Sequence, residues 1–300
     1  SVFEMSLLGN FTEPHRLKEL VEKLTDGGKL SHRYENGVIQ NIATFIDKGG
    51  FIKETMQVFG YPAENPLYVF ILDSVANLQH PCLHVRTPTT GHDCELLTEG
   101  LKEMYTVAFP LIEQQGGLEL EGDTTVRKTF FKLQESGRVP CEIKLFEDFY
   151  PFYMDEDQKR TLLEIDSINV DEEYSKIHAA WAYADYAPKE VTRLHLANLP
   201  SICIRDLEGN LVSWEFLQSC LQLTHLHVFE HYRGKGLGIL TEMAMSQKMV
   251  KNGLNVYKYI GNEKVLEGTL RHPLWTLWKG VDGKEEEPAW SFTMITHKPK

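Results

Sequence analysis

The sequence predicts a mixed α/β protein in two halves, residues 1–155 and 156–300, on three observations. Runs with apolar residues at helical spacing alternate along the chain with shorter runs that read as strands. The aromatic run Phe149-Tyr150-Pro151-Phe152-Tyr153 is followed midway by the charged Asp155-Glu156-Asp157-Gln158-Lys159-Arg160, which reads as a linker between the halves. Finally, 300 residues with 42% apolar and 25% charged side chains suffice for one or two well-packed domains.

In the first half, Leu17, Leu20, Val21 and Leu24 open the chain with a helical pattern, and a second helix is expected over 38–46. Leu67-Tyr68-Val69-Phe70-Ile71-Leu72 reads as a buried strand, and His80-x-Cys82-x-His84 alternates as a strand does. Leu96, Leu97, Leu101, Met104, Val107 and Ala108 then predict a longer helix before Pro110, and 141–146 predicts a strand.

The second half orders itself more clearly. It reads as a strand over 162–168, a helix over 171–184, a proline-opened helix over 188–196 and a hairpin of strands 201–205 and 211–217. A strand ending near Phe229, a helix from Leu237, a strand over 254–260, a short helix over 263–270 and a last strand over 290–296 complete it.

Between the strand Leu223-Thr224-His225-Leu226-His227-Val228-Phe229 and the amphipathic helix lies Tyr232-Arg233-Gly234-Lys235-Gly236-Leu237-Gly238. A helix start offers unpaired N–H groups and the positive end of the helix dipole, and glycines let a phosphate approach the backbone. Arg233 and Lys235 add positive charge. The spacing is neither that of a P-loop nor the G-x-G-x-x-G dinucleotide fingerprint. It reads as a pyrophosphate cradle, formed by Arg233, Gly234, Lys235, Gly236, Leu237 and Gly238.

Arg233-x-x-Gly236-x-Gly238 resembles the coenzyme A pyrophosphate motif of the GNAT acyltransferase superfamily, Arg/Gln-x-x-Gly-x-Gly/Ala, with strand and helix flanking it in that family's order. About a third of the chain, 163–262, resembles the C-terminal half of the glycine N-acyltransferase family, through Leu211-Val212-Ser213-Trp214-Glu215, Glu230-His231-Tyr232-Arg233, Asn255-Val256-Tyr257 and Gly261-Asn262-Glu263. The resemblance implies a GNAT fold in the second half, with a mixed, mostly antiparallel sheet whose two central strands splay apart to admit CoA. It implies transfer of an acetyl or longer acyl group from acyl-CoA to the amine of a small acceptor such as glycine or another amino acid. The first half resembles that family only loosely; it would shape the acceptor side and, by fold-level analogy, be a degenerate GNAT-like domain without the phosphate loop.

The resemblance also implies roles for residues. Val228 and Phe229 lie where a backbone N–H would donate to the thioester carbonyl. An alkylammonium must lose a proton before it attacks, and in glycine N-acyltransferases a glutamate near the start of this strand takes it. Ungapped alignment from Val212 to Arg233 puts Gln222 there, and an amide cannot be a base. His227 and His225 are the replacements considered first, with Glu215 on the neighbouring strand as another. A bulge in this strand, a superfamily feature, would alter which of them faces the cleft. Asn262 matches a position that contacts the pantetheine arm, and it is equally a helix N-cap residue. Thr269 and Leu270 occupy the neighbourhood where many GNAT enzymes carry a tyrosine as general acid. Two other readings stay open: a CoA-binding regulatory module without catalysis, and a protein N-acetyltransferase.

Composition excludes other classes. A net charge of −12 argues against a nucleic-acid partner, since phosphate backbones are gripped by basic stripes. No run reaches the apolar length of a membrane span, and the start lacks a basic, apolar, small-residue signal, so an intracellular setting, cytoplasmic or mitochondrial, is expected. Five scattered cysteines suggest a reducing compartment. His80, Cys82, His84, His92 and Cys94 cluster in one stretch, but they lack paired metal-ligand spacing, and no metal is expected.

Overall fold

The computed structural model describes residues 7–26, 33–75, 80–88, 91–153, 167–278 and 290–297. The chain is mixed α/β with mixed sheets and divides into two compact units: residues 1–76, 80–151 and 278–300 in one, and 77–79 with 152–277 in the other.

The first unit runs β1 (Gly9–Asn10), α1 (Pro14–Asp26), α2 (Arg33–Lys48), α3 (Phe51–Thr55), β2 (Met56–Tyr61), β3 (Tyr68–Asp73), β4 (Cys82–Arg86), α4 (Cys94–Gln115), β5 (Gly117–Asp123), α5 (Thr124–Glu135) and β6 (Cys141–Tyr153). Helical spacing becomes burial directly: Leu17, Leu20 and Leu24 on α1, and Val38, Ile39, Ile42 and Ile46 on α2, are all buried. β1 to β4 pair antiparallel in sequence order, and β4 then lies parallel to β5 with α4 as the crossover. Leu97, Leu101, Met104, Ala108 and Ile112 of α4 pack with Phe70, Leu72, Leu83, Val85, Leu118 and Leu120 of the sheet. At Gly100 this helix comes so close that a Cβ would stand 3.0 Å from the Phe70 ring.

Several expectations shift here. α4 does not stop before Pro110 but carries it inside, because Ile112 still faces the core and Gly116, in the left-handed region, supplies the stop. The aromatic run 149–153 is the end of a long strand; the charged run 155–160, expected as the linker, lies outside the described residues. The strand expected over 290–296 forms as β12 (Trp290–His297), but it pairs antiparallel with both β5 and β6 in the first unit, not with strands of the second. Strand periodicity fixes a strand and its faces without naming its partner.

The second unit contains α6 (Val170–Ala179), α7 (Lys189–Asn198), β7 (Ser201–Arg205), β8 (Leu211–Leu217), β9 (Leu223–Val228), α8 (Leu237–Lys251), β10 (Tyr257–Ile260), α9 (Glu263–Leu270) and β11 (Thr276–Leu277), which pairs with Phe152 and Tyr153, the last two residues of β6 and themselves part of this unit. The strand expected over 162–168 falls largely outside the described residues. The sheet order is β10-β9-β8-β7, antiparallel except for the parallel β10/β9 pair. Trp214 and Phe216 point to one face, where they cluster with Ile177, Leu196 and Ile168. Ser213 points to the other, its hydroxyl 2.6 Å from Thr241 of α8. Among the described residues no helix is long and apolar enough to cross a membrane.

Candidate functional site

The site is built where β9 leaves its neighbours. Ser213 and Trp214 stand opposite Val228 and His227, whereas Phe216 and Leu217 stand opposite Thr224 and Leu223. The register slips by one residue, so His225 and Leu226 together face Glu215 in a β-bulge. His225 absorbs it with a φ of 56°, a left-handed conformation that costs a non-glycine residue about 1 kcal/mol or more.

On the other side, β9 and β10 share a single register position, Lys258 opposite Leu223. Beyond it the two strands part, and among the described residues β9 from Thr224 onward keeps only β8 as a strand partner. Phe229 N–H donates to the Val212 carbonyl at 3.1 Å. By antiparallel alternation, Val228 then directs its N–H and carbonyl away from β8, into the gap. Its carbonyl indeed accepts from Arg233 Nε at 2.9 Å. Of the two residues expected to offer a backbone donor, Val228 is placed to do so and Phe229 has already used its own.

The turn after β9 starts from a pinned residue. Tyr232 donates its hydroxyl to Asp206 Oδ2 at 3.1 Å, and Asp206 is fixed by accepting from the N–H groups of Glu208 and Asn210 in the hairpin turn. Gly234 and Gly236 take φ of 74° and 79°, and nothing lies within 4 Å of where a Cβ on either would stand. Only glycine holds this path cheaply, and the space over the backbone stays open. α8 begins with no side-chain cap. Its first bond runs from Leu240 N–H to the Gly236 carbonyl at 3.1 Å, so the N–H groups of Leu237, Gly238 and Ile239 have no carbonyl one turn back to bind. Arg233 and Lys235 are exposed beside them, Lys235 Nζ lying 5.5 Å from the Tyr232 ring centroid. The combination of uncapped donors, helix dipole and two cations suits a phosphate group.

His227 and His225 share a face of the sheet. The His227 ring stacks on Trp214 at 4.6 Å, and His225 stacks on Trp181 at 4.2 Å with Phe216 at 4.4 Å. Trp181 and Tyr183, 5.8 Å apart, come from the segment between α6 and α7. Burial holds the His225 pKa well below its ordinary value, helped by the neighbouring His195 and His178; burial and then the Arg233 charge lower that of His227. Both imidazoles are therefore neutral near pH 7. The Nδ1 of His225 is sealed from solvent without a hydrogen-bond partner. Gln222, just before β9, is buried with Oε1 unpartnered.

Glu215 lies on the opposite face, in a buried group with Glu242 of α8 and Lys258 of β10. Burial foremost, then the Glu242 charge, raises its pKa far above the carboxylate range despite Lys258. Its raised pKa favours the protonated form, and it faces away from His225 and His227. Lys258 Nζ binds Glu242 Oε1 and reaches Thr269 Oγ1 at 3.3 Å, while Trp275 Nε1 donates to Glu242 Oε2 at 2.8 Å. Asn262 caps α9, its Oδ1 accepting from Lys264 and Val265 N–H at 3.0 and 3.4 Å. Trp214 is a core residue, 1% exposed.

Trp181 and Tyr183 are the neighbours that sequence reasoning missed. They sit in a segment with no motif, and only folding brings Trp181 to His225, with Tyr183 against Trp181.

No protein-family model matches the chain, and no curated protein matches it in sequence. Solved structures do resemble it. An X-ray structure of a Drosophila protein aligns with a TM-score of 0.67 at 12% identity, covering 97% of this chain and 99% of that one. A GCN5-related N-acetyltransferase from Kribbella flavida aligns at 0.49 and 12% identity over 89% of this chain and 95% of its own. A GCN5-related N-acetyltransferase from Sphaerobacter thermophilus aligns at 0.47 and 8% identity over 95% and 94%. At such identities the first likeness concerns the fold alone.

Proposed function

We propose that the second unit is a GNAT domain that binds acyl-CoA and transfers the acyl group to the amine of a small acceptor, an amino acid such as glycine in the first instance. The observation that carries this reading is the junction of β9 and α8. An uncapped helix start behind two open left-handed glycines lies at the end of a strand that has parted from its parallel neighbour. The residues present fit coenzyme A: the turn supplies donors and cations for the pyrophosphate, and the bare edge of β9 supplies backbone groups to an amide-rich arm.

In this reading Leu237, Gly238 and Ile239 N–H groups, with Arg233 and Lys235, hold the pyrophosphate. Val228 N–H faces the gap and donates to the thioester carbonyl, where charge develops as the amine attacks. His227, half-buried and neutral, accepts the proton the amine must lose, directly or through one water. His225 is held too far below neutrality and too tightly between Trp181 and Phe216 to be the better base; it shapes the wall instead. Gln222 orients an N–H of the acceptor through Oε1. Asn262 fixes the start of α9 beside the gap. By fold-level analogy the first unit is a degenerate GNAT-like domain.

Thiol release from acetyl-, butyryl- and benzoyl-CoA, with and without a mixture of amino acids, tests this. Acceptor-dependent release is the expected result. Tight CoA binding without release under any acceptor would instead leave a CoA-binding module that has lost its base.

A further inference from the structure

One face of the first unit's sheet is both polar and buried. Asp73, His84, Arg86, Glu119 and Glu121 have no exposed surface, and Asp123 has 3%. Among the described residues Arg86 is the one buried permanent cation of this unit, against four carboxylates. Carboxylate, imidazole and thiol groups gathered in one buried layer are the donor types that a divalent metal takes.

Within the layer three metal-ligand atoms converge. Cys82 and His84 alternate on β4, and Glu121 faces His84 from β5 in direct register. His84 Nδ1 lies 3.0 Å from Glu121 Oε2 and 3.9 Å from Cys82 Sγ, and all three donor atoms lie within 4.8 Å of one another. Tetrahedral zinc, with bonds of about 2.0 to 2.3 Å, holds adjacent N, O and S donors roughly 3.3 to 3.6 Å apart. The three atoms bracket that spacing.

A nucleophile relay would place thiol and carboxylate at opposite nitrogens of the imidazole. Here both meet the same nitrogen, and the group has no access for a substrate. The second oxygen of Glu121 faces Arg86 NH2 at 3.4 Å, the kind of outer contact that orients a ligating carboxylate. His80, His92 and Cys94, the other residues of the sequence cluster, are elsewhere: His80 Nδ1 contacts the Gln115 carbonyl, His92 packs near Tyr68, and Cys94 is exposed at the start of α4.

We propose that Cys82 Sγ, His84 Nδ1 and Glu121 bind a divalent metal of zinc-like preference, a structural site that clamps β4 to β5. Binding releases the thiol proton, so thiolate and carboxylate together balance the two charges of the metal. The proposal departs from the expectation from spacing because its third ligand comes from the neighbouring strand.

The test uses the full, untagged chain expressed in zinc- or cobalt-supplemented medium. Elemental analysis should find about one zinc per chain, and the cobalt form should show a thiolate-to-cobalt charge-transfer band with tetrahedral ligand-field bands. Cys82→Ser should abolish the charge-transfer band and Cys94→Ser should leave it. Wild type carrying less than about a tenth of an equivalent of either metal overturns the proposal, whether or not the variants fold. So does a thiolate band that persists in Cys82→Ser.

Discussion

The two units each carry a strand, a turn and a helix crossing to a parallel strand, and they finish that construction in opposite ways. After β4, Thr87 binds Asp123 at 2.6 Å, and β4 holds β5 over three register positions. The helix that follows is capped by Asp93, whose carboxylate accepts from Glu95 and Leu96 N–H at 3.0 Å each. After β9 the parallel partner departs beyond one position, and α8 starts behind Gly236 with no side-chain cap. A carboxylate cap spends the donors a phosphate needs and repels its charge; a glycine leaves both the donors and the dipole available. The same topology therefore gives a closed junction in one unit and an open one in the other.

The comparison breaks most sharply at Gly236. Asp tolerates the left-handed region better than most residues, so Gly236→Asp moves the first unit's device into the second. CoA affinity, read by calorimetry, should fall by about 100-fold or more, roughly 2.7 kcal/mol, with the far-ultraviolet spectrum preserved. Next in size, His227→Ala should lower kcat by about 100-fold or more with little change in CoA affinity. Because His227 must be neutral to act and its pKa is lowered, the wild-type rate should fall with decreasing pH only below the ordinary histidine range. An unchanged acid limb in the variant would assign the base elsewhere.

Arg233→Ala should raise the KM for acyl-CoA by about tenfold, through one lost charge and a loosened turn. Asp93→Ala should cost about 1 kcal/mol of stability in denaturant unfolding and leave CoA affinity untouched. Glu215→Gln should change kcat least of all, since the amide mimics a carboxyl that is already neutral. Its raised pKa means the folded state holds a proton the unfolded state loses above about pH 4.5, so wild-type stability should decline as pH rises from there and the variant should decline less.

Much of the second unit was legible because its signals are local. Helix faces, the Asp206 to Asn210 turn and the glycine spacing at 234–238 each follow from a few adjacent residues. The bulge at His225 was expected only by resemblance, whereas the shared aromatic face of His225 and His227 is what strand alternation gives two residues at i and i+2. What stayed hidden depends on pairing across distant segments: β12 entering the first unit, Trp181 meeting His225, Glu121 meeting Cys82 and His84, and Glu242 helping burial to raise the Glu215 pKa. Periodicity tells which face a residue takes and says nothing of what stands opposite.

The most direct measurement is a calorimetric titration of the intact chain with CoA, reading stoichiometry. One site per chain, lost in Gly236→Asp and retained in Asp93→Ala, is the predicted result. No binding, two sites per chain, or a single site indifferent to Gly236→Asp would contradict the account.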